Sequence, residues 1–191
     1  FKLNEQVIHS WSNILLNTPN SVLWLSENNA FFKANLYSQL QGRGIDPARV
    51  IFAKRMEAMP DHLARLQLAD LFLDTFPYNA HASAVDSLKA GTPVLTLLGN
   101  SFAARVAASL LKAIDLPELI AHSQAEYESL AIELATHPEK IGNLKKRLLI
   151  NGRTQPLFDT ALYTKHIEAA FKQMYARHQA KLAPTNFDIP A

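Results

Sequence analysis

The chain has 191 residues, of which 48% are hydrophobic and 19% charged, and its formal net charge is +2. This composition is typical of a globular domain with one sizeable core, and so small a charge argues against binding to nucleic acid or to an anionic membrane. The chain contains no cysteine, which excludes disulfides and thiolate chemistry. No run of about 18 apolar residues and no signal-peptide pattern occurs, so we expect a cytoplasmic protein. Because the chain starts at Phe1 without methionine, we expect a domain cut from a longer protein.

Helical and strand patterns alternate in the first part of the chain. Apolar residues at helical spacing, such as Val7, Trp11 and Ile14, indicate helices, and short apolar runs between turn residues indicate strands. We expect a helix over residues 4–16, a strand over 21–26, a helix over 30–41, a strand over 50–53 and a helix over 60–69.

The central unit of the chain covers residues 71–99. It comprises a strand over 71–73 that ends at Asp74, a turn-rich loop over 75–81, a helix over 82–90 that ends at Gly91, and a strand over 93–98. Two parallel strands need such a crossover helix. A loop that ends at a helix N-terminus is a natural anion site, because free backbone N–H groups point outward there. We therefore interpret His81-Ala82-Ser83 as the phosphate-facing end of this loop.

The rest of the chain is predicted to be mostly helical. We expect helices over residues 101–113, 124–136, 138–150 and 160–181, the second of them opened by a capping box of Ser123 and Glu126. The alternation over residues 1–120 predicts an α/β fold, with a Rossmann-like, doubly wound parallel sheet and helices on both faces. In such sheets ligands bind beyond the carboxyl ends of the strands. We expect one domain over residues 1–182 and a flexible tail over residues 183–191.

Each candidate residue also has a purely structural interpretation. Ser83 and Asp86 match the S-x-x-D spacing of a capping box, so both could serve only to start the helix. His62 lies at a predicted helix start, where the helix dipole disfavours its protonation, so it could stack on a base as a neutral ring or simply lie at the surface. Lys2 fits an ordinary solvated lysine, and Arg105 fits a surface or interdomain ion pair.

Metal and dinucleotide signatures are absent from the sequence. The seven histidines are scattered, without H-x-x-x-H or H-E-x-x-H spacing, and neither a GxGxxG pattern nor a P-loop occurs. We therefore expect no metal and no cofactor, and any bound phosphate must use another kind of cradle.

Four segments carry a resemblance to a known family, namely PNSVLWL (19–25), HLARLQLADLFLDTFPYNAH (62–81), AGTPVLTLLG (90–99) and ARVAASLL (104–111). They resemble the C-terminal half of the catalytic region of O-linked N-acetylglucosamine transferases, a group that includes bacterial TPR-containing homologues and plant SPINDLY-type proteins. The resemblance covers residues 2–176. It implies the donor-binding half of a GT-B glycosyltransferase, which transfers N-acetylglucosamine from UDP-N-acetylglucosamine to Ser or Thr hydroxyls of proteins, with inversion and without a metal.

The same resemblance implies roles for individual residues. Lys2 corresponds to a lysine that contacts the donor phosphates, and His62 corresponds to a histidine that lies against the uracil. The segment His81-Ala82-Ser83 corresponds to an H-T-T segment that holds the diphosphate at a helix N-terminus. Asp86 corresponds to an acid that accepts a hydrogen bond from the ribose. The acceptor-binding half, the catalytic base and the TPR repeats of the family lie upstream, so we expect no catalytic residue in this chain and no activity from it alone.

Two departures from the family pattern keep alternatives open. Ala82 replaces the first threonine of the H-T-T segment, so one hydroxyl is lost, and Met59 stands where the animal enzymes have a lysine three residues before His62. Another donor, such as UDP-glucose or GDP-fucose, is therefore one alternative. A degenerate, non-catalytic nucleotide-binding or interaction module is a second alternative, and a structural domain without a ligand is a third.

Overall fold

The computed structural model of the chain describes residues 2–189, in which parallel strands alternate with α-helices. The helices are α1 (Glu5–Asn17), α2 (Ala30–Gln41), α3 (Met59–Leu66), α4 (Ala82–Ala90), α5 (Val106–Ala113), α6 (Gln124–Thr136), α7 (Pro138–Thr154) and α8 (Thr160–Gln179). The strands are β1 (Leu23–Ser26), β2 (Val50–Ala53), β3 (Phe72–Leu73), β4 (Val94–Leu97) and β5 (Ile120–Ala121). Short 3-10 turns cover Pro47–Arg49, Phe102–Ala104, Pro117–Leu119 and Pro156–Phe158.

The strands pair in parallel in two hydrogen-bonded groups. In the first group β1 pairs with β2, with Leu23 opposite Val50. In the second group the order is β3-β4-β5, with Phe72 opposite Val94 and Thr96 opposite Ile120. Helices α2, α4 and α5 connect successive paired strands, as parallel pairing requires. The α/β fold class predicted from the sequence is confirmed. Strand β5 was not predicted; it is a two-residue strand that directly follows the 3-10 turn Pro117–Leu119.

Helix α4 begins and ends where the sequence predicts. Gly91 adopts a left-handed conformation with φ of 86° and ends the helix, which is the usual role of glycine at this position. The predicted capping box at its start is wrong. His81 is the N-cap residue and makes no side-chain cap hydrogen bond, while Ser83 is the second residue of the helix. An N-cap residue lies outside the helix, and its side chain accepts from an N–H two or three residues later, whereas Ser83 is already inside the first turn and does not cap α4.

Several helix boundaries differ from the prediction for local reasons. The predicted helix over residues 101–113 begins as the 3-10 turn Phe102–Ala104, which Ser101 caps, and only Val106–Ala113 is α-helical. The helix predicted over residues 60–69 is α3, which ends at Leu66. The predicted capping box of α6 is confirmed in part, since the Ser123 hydroxyl accepts from the Glu126 N–H at 3.1 Å, while the Glu126 carboxylate accepts from the N–H of the residue before the cap.

Two apolar clusters support the strand ends at which the candidate site lies. The first cluster joins α1 to α6 and includes Trp11 and Tyr127. The second cluster lies among α4, α5 and α7 and includes Leu88, Leu111 and Leu148. Strand β4 runs between the two, and its Val94, Leu95 and Thr96 are all buried, as expected for a central strand of a parallel sheet.

The C-terminal part of the described chain adds little to the core. No residue of α8 within its described span is buried. Residues 183–189 have no regular secondary structure, residues 190 and 191 lie outside the described part, and the flexibility of the tail stays a prediction. Among the helices of residues 2–189, none combines the length and apolar character needed to cross a membrane.

Candidate functional site

A buried carboxylate organises the loop between β3 and α4. Asp74 follows β3 and has no exposed surface. Its Oδ1 accepts from the backbone N–H of Thr75 at 2.8 Å and of Ala80 at 2.6 Å, and its Oδ2 accepts from the Thr96 hydroxyl at 2.7 Å. These bonds join both ends of the loop to the neighbouring strand β4. The loop is therefore held rigidly in the position that leads into α4.

Burial also changes the acidity of this carboxyl group. Removal from water raises the pKa of Asp74 from 3.8 to about 6, although the hydrogen bonds from Thr96, Ala80 and Thr75 and the charge of Lys2 favour the ionised form. The desolvation effect is larger than these compensating effects. With a pKa of about 6, the Asp74 carboxyl group gains or loses its proton just below neutral pH. It lies beneath the loop rather than on its surface.

Further hydrogen bonds connect the loop to the rest of the molecule. The Asn79 side chain is buried and donates to the carbonyl of Thr75 at 3.0 Å, and the Asn79 N–H donates to the carbonyl of Ala103 at 2.9 Å. Asn4, the N-cap of α1, donates to the carbonyl of Phe76 at 2.7 Å. The loop is therefore bonded to β4, to the turn before α5 and to the start of α1.

The loop connects the carboxyl end of β3 to the N-terminus of α4. Ala82 and Ser83 are exposed first-turn residues, and within residues 2–189 their N–H groups have no backbone or side-chain acceptor. The first N–H groups of a helix carry its positive dipole end, so they attract anions. The predicted phosphate-facing segment thus has the backbone geometry that anion binding requires.

His81 stands beside this helix end in an aromatic stack. Its ring is stacked on Tyr78 at 5.2 Å between centroids, and Phe102 meets it edge-on at 6.2 Å. Its Nε2 is enclosed and has no hydrogen-bond partner among the described residues. A buried polar nitrogen without a partner costs free energy, and this cost is recovered only if the ring or its neighbours move so that a ligand atom can reach the nitrogen.

Lys2 also contacts the Tyr78 ring. Its ammonium is 4.5 Å from the centroid of the Tyr78 ring and donates to the backbone carbonyl of Asn79 at 2.8 Å. An ammonium group has three donors, so donors remain for a ligand. Lys2, Tyr78 and His81 therefore form one group, in which the phenol ring contacts both a cation and an imidazole.

His62 and Asp86 form a second pair one turn further along α4. The His62 Nε2 lies 3.8 Å from the Asp86 Oδ2, and the two side chains are 28% and 26% exposed. On the other side of the ring, Arg65 lies with its Nη2 3.0 Å from the His62 Nδ1. A helix start on α3 and the second turn of α4 thus present a partly exposed imidazole and a carboxylate side by side.

All six predicted site residues therefore lie around the first two turns of α4, in two groups. Sequence reasoning missed the residues that support them: Asp74, Tyr78, Asn79 and Arg65. Only Arg65 had a usable signal, since a residue three positions after His62 on a helix lies on the same face. Arg105 has no ion-pair partner among residues 2–189, so an interdomain partner for it stays a prediction. Among the described side chains, no group of three His, Asp or Glu residues could hold a metal ion.

Comparison with known proteins identifies the family. The family model for glycosyl transferase family 41 matches residues 1–167. A Caenorhabditis elegans protein named UDP-N-acetylglucosamine--peptide N-acetylglucosaminyltransferase is 34% identical over 180 residues, which cover 94% of this chain and 16% of that protein. The Arabidopsis thaliana protein SEC, given the same enzyme name with the word "probable", is 34% identical over 190 residues, which cover 99% of this chain and 19% of that protein.

A solved structure agrees with these sequence relationships. A mutant of the Thermobaculum terrenum O-GlcNAc transferase superimposes with a TM-score of 0.86 and 29% sequence identity, over 91% of this chain and 34% of that chain. The chain thus spans less than a fifth of the length of the two relatives named above. Since the family model covers most of the chain and the relatives share about a third of its residues, the chain belongs to glycosyl transferase family 41.

Proposed function

We propose that this chain is the donor-binding half of a cytoplasmic enzyme that transfers N-acetylglucosamine from UDP-N-acetylglucosamine to Ser or Thr hydroxyls of proteins, with inversion and without a metal or other cofactor. The observation that carries the proposal is the N-terminus of α4, where the N–H groups of Ala82 and Ser83 lack an acceptor in the described chain and His81 stands beside them. In this proposal the acceptor protein is bound by the other half and by upstream TPR repeats.

The chemistry of sugar transfer explains why such a site is needed. The acceptor oxygen attacks the anomeric carbon of the sugar, the bond from that carbon to the diphosphate oxygen breaks, and the acceptor proton passes to a base outside this chain. The electron pair of the broken bond stays on the diphosphate, so negative charge grows there. Donors that already point at this position stabilise the transition state, and the loss of one typically costs about 3 kcal/mol. The N–H groups and hydroxyl at Ser83 and the ammonium of Lys2 are donors of this kind.

The second group of residues suits the nucleoside. The His62 ring is 28% exposed and offers a flat, partly apolar face on which a base can stack. The Asp86 carboxylate, 26% exposed, can accept hydrogen bonds from ribose hydroxyls. Because Asp86 lies one turn after Ser83 on α4, a nucleotide whose phosphates meet the helix N-terminus has its ribose within reach of Asp86.

Calorimetric titration of UDP into the chain in the presence of EDTA tests the proposal. We expect UDP to bind and GDP to bind at least tenfold more weakly, because one site would select the uracil ring. Equal binding of both nucleotides would favour a different donor, an alternative that the exposed Met59 beside His62 keeps open. No binding of UDP either by the chain or by the full-length protein would contradict the proposal and favour a degenerate module.

Variants then locate the site. Loss of a single hydrogen bond to a charged ligand costs about 1.5–3 kcal/mol, so we expect His81→Ala and Ser83→Ala each to weaken UDP binding about tenfold or more. Matched controls are Ser109→Ala on α5 and His178→Ala on α8, which are both exposed and lie on other helices. We expect the controls to bind UDP as the unmodified chain does. Equal affinity in all four variants would contradict a phosphate site at α4.

A further inference from the structure

A groove with basic walls lies between the end of β4 and helix α5. Its volume is about 300 Å³, which is the size of a small ligand-binding cleft. The residues that line it are Leu98, Arg105, Ala108, Ser109 and Lys112. Two of these residues are cations and none is an acid, so the charge of the groove favours a negatively charged occupant.

The polar side chains of this basic groove lie on one face of α5. Arg105 is the N-cap residue of the helix, and Ser109 and Lys112 follow it by four and seven positions, the spacing of one helix face. All three residues are exposed. Within residues 2–189, none of their side chains takes part in an ion pair or a hydrogen bond. The groove therefore has two cations and a hydroxyl that are free to bind a ligand.

A fixed turn joins the basic groove to the candidate site. The carbonyl of Ala103 accepts from the Asn79 N–H at 2.9 Å, and the Phe102 ring meets the His81 ring edge-on at 6.2 Å between centroids. Arg105 follows this turn directly. Because consecutive Cα atoms are about 3.8 Å apart, the Cα of Arg105 is within about 8 Å of the Cα of Ala103. A molecule that extends from the site along this edge thus reaches the groove.

The acceptor protein is the occupant that this position favours. In the proposed reaction the acceptor hydroxyl must meet the sugar beside the N-terminus of α4, so the acceptor chain passes over the edge of the sheet. An extended peptide advances about 3.3 Å per residue, so residues about three to six positions from the acceptor hydroxyl lie about 10–20 Å from it. Arg105 and Lys112 are separated by about 10 Å along the helix axis. Two acidic residues about two to four positions apart in an extended peptide match that separation.

We propose that the basic groove of α5 binds acidic residues of the acceptor protein, close in sequence to the hydroxyl that receives the sugar. Arg105 and Lys112 then determine which acceptors are preferred and take no part in the chemical step. The identity of the occupant as an acceptor rests on the proposed function. The affinity of the groove for an acidic peptide does not depend on it.

Peptide binding by the chain tests the groove itself. The probe is a synthetic peptide with one serine and several glutamates about three to six positions from it, and its neutral version has glutamine in their place. We expect the glutamate peptide to shift the backbone amide NMR signals of Ser109 and Lys112, and the glutamine peptide to leave them unchanged. An exposed ion pair contributes about two- to fivefold in affinity, so Arg105→Gln with Lys112→Gln should weaken binding of the glutamate peptide about fivefold or more.

Helix α7 offers a matched control pair. Lys146 and Arg153 are exposed, have the same separation of seven residues, and form no ion pair in the part of the chain that the structure describes. We expect Lys146→Gln with Arg153→Gln to leave the affinity for the glutamate peptide unchanged within about twofold, since only general electrostatic attraction is lost. A backbone spectrum of each double variant establishes that it is folded.

Transfer kinetics of the full-length protein test the acceptor role. We expect kcat/KM to be about fivefold or more higher for the glutamate peptide than for the glutamine peptide, through KM rather than kcat. Arg105→Gln with Lys112→Gln should remove this preference and leave the rate with the glutamine peptide unchanged. Arg105→Glu with Lys112→Glu should instead prefer a peptide that has lysines in place of the glutamates. The control pair on α7 should keep the preference of the unmodified protein.

The outcomes separate this inference from the proposed function. Equal kcat/KM for the two peptides, or a preference that survives in Arg105→Gln with Lys112→Gln, would overturn the acceptor role. The same is true if the glutamate peptide binds to the isolated chain only, because the other half of the enzyme would then cover the groove. If the full-length protein transfers sugar to no peptide, the proposed function fails, while the NMR comparison still confirms or overturns the groove as a site for acidic peptides.

Discussion

At the scale of single residues, Asp74 differs from the other described carboxylates because it is completely buried, and burial raises its pKa to about 6. Its free carboxyl group would ionise near pH 3.8, whereas the folded protein raises this pKa to about 6. The folded state therefore holds a proton on Asp74 in a range of pH where the unfolded state does not. Stability linked to this group is present in full below about pH 4 and is lost as the pH rises through 6.

The first prediction concerns the pH dependence of unfolding. Between pH 4 and pH 7 we expect the ionisation of Asp74 to lower the free energy of unfolding by up to about 3 kcal/mol, relative to Asp74→Asn. Asparagine keeps the acceptor for Thr75 and Ala80 and can donate to Thr96, whose hydroxyl rotates, but it cannot ionise. Urea denaturation of both proteins at the two pH values measures the difference. Asp70→Asn, at a side chain that is 87% exposed, should show almost no such difference.

The second prediction concerns the residue that departs from the family pattern. Ala82 is exposed at the first position of α4, so a threonine fits there without a clash. Its hydroxyl would add one donor beside the free N–H groups, worth about 1 kcal/mol, and we expect Ala82→Thr to tighten UDP binding about fivefold. Titration of UDP measures this change. Ala82→Val, which has the same shape without the hydroxyl, is the control, and equal gains in both variants would contradict the explanation.

At the scale of elements, the turn from β4 to α5 depends on a close backbone approach. Gly99 donates from its N–H to the carbonyl of Ala104 at 2.9 Å, and a Cβ atom at position 99 would lie 2.6 Å from the Ala104 Cβ. No pair of side-chain carbons tolerates such a distance. Glycine is therefore required here because a side chain has no room, and not because the backbone has a positive φ. The same turn receives the N–H of Asn79, so it also supports the loop before α4.

The third prediction follows from this contact. We expect Gly99→Ala to lower the free energy of unfolding by about 1–3 kcal/mol, because the inserted methyl group overpacks the turn. In an Ala104→Gly background the same substitution should cost at least 1 kcal/mol less, which a double-mutant cycle measures. Gly142→Ala in α7 is the control, since a Cβ there meets nothing within 4 Å. Alanine should stabilise that helix by about 0.5–1 kcal/mol. Equal costs of Gly99→Ala in both backgrounds would contradict the overpacking explanation.

Element positions were predictable to different degrees from the sequence. The bounds of α2, α4, α6 and β2 agree with the prediction. For the helices the cause is local, since Asn29 and Gly42 flank α2, Gly91 ends α4 and Ser123 caps α6. The prediction failed at the start of α5, where Ser101 caps a 3-10 turn that resembles a helix start in sequence. It also failed for the capping box at Ser83, since the spacing was present but the N-cap residue is His81, two residues earlier.

At the scale of the whole molecule, one phenol group joins three parts of the fold. Tyr127 on α6 is fully buried, and its hydroxyl donates to the backbone carbonyl of Asp74 at 2.9 Å. The same oxygen accepts from the Trp11 indole N–H on α1 at 3.4 Å. Burial raises the pKa of Tyr127, so its hydroxyl stays protonated and able to donate at any pH at which the protein is used. The Tyr127 hydroxyl thus connects the end of β3, which leads into the site, with α1 and α6, the two helices that the first cluster joins.

The fourth prediction tests this connection. Tyr127→Phe leaves the Trp11 N–H and the Asp74 carbonyl buried without their partner, so we expect it to lower the free energy of unfolding by about 1–3 kcal/mol. Tyr163→Phe on α8, where the residue is 66% exposed, should change it by less than about 0.5 kcal/mol. Urea denaturation measures both. An effect of the same small size in both variants would contradict the role assigned to the Tyr127 hydroxyl.

The outer helix α8 shows what the described chain leaves uncovered. Its exposed apolar side chains include Tyr163, Phe171 and Tyr175. In the GT-B architecture that the resemblance implies, a long helix after the sheet would help to join the two halves, and this role of α8 stays a prediction. The chain covers 34% of the matched O-GlcNAc transferase structure, so most of that architecture lies outside it.

The sequence by itself determined the alternation of strands and helices, the loop that ends at α4 and, through resemblance, the six residues of the candidate site. These follow from local patterns, since periodicity, caps and motif order are properties of neighbouring residues. Only the tertiary structure decided that Asp74 is buried beneath the loop, that Tyr78 contacts both Lys2 and His81, and that Arg65 lies within hydrogen-bonding distance of His62. Burial, stacking and the orientation of a ring depend on residues that are distant in the chain. The spacing of neighbouring residues does not determine how those distant residues pack.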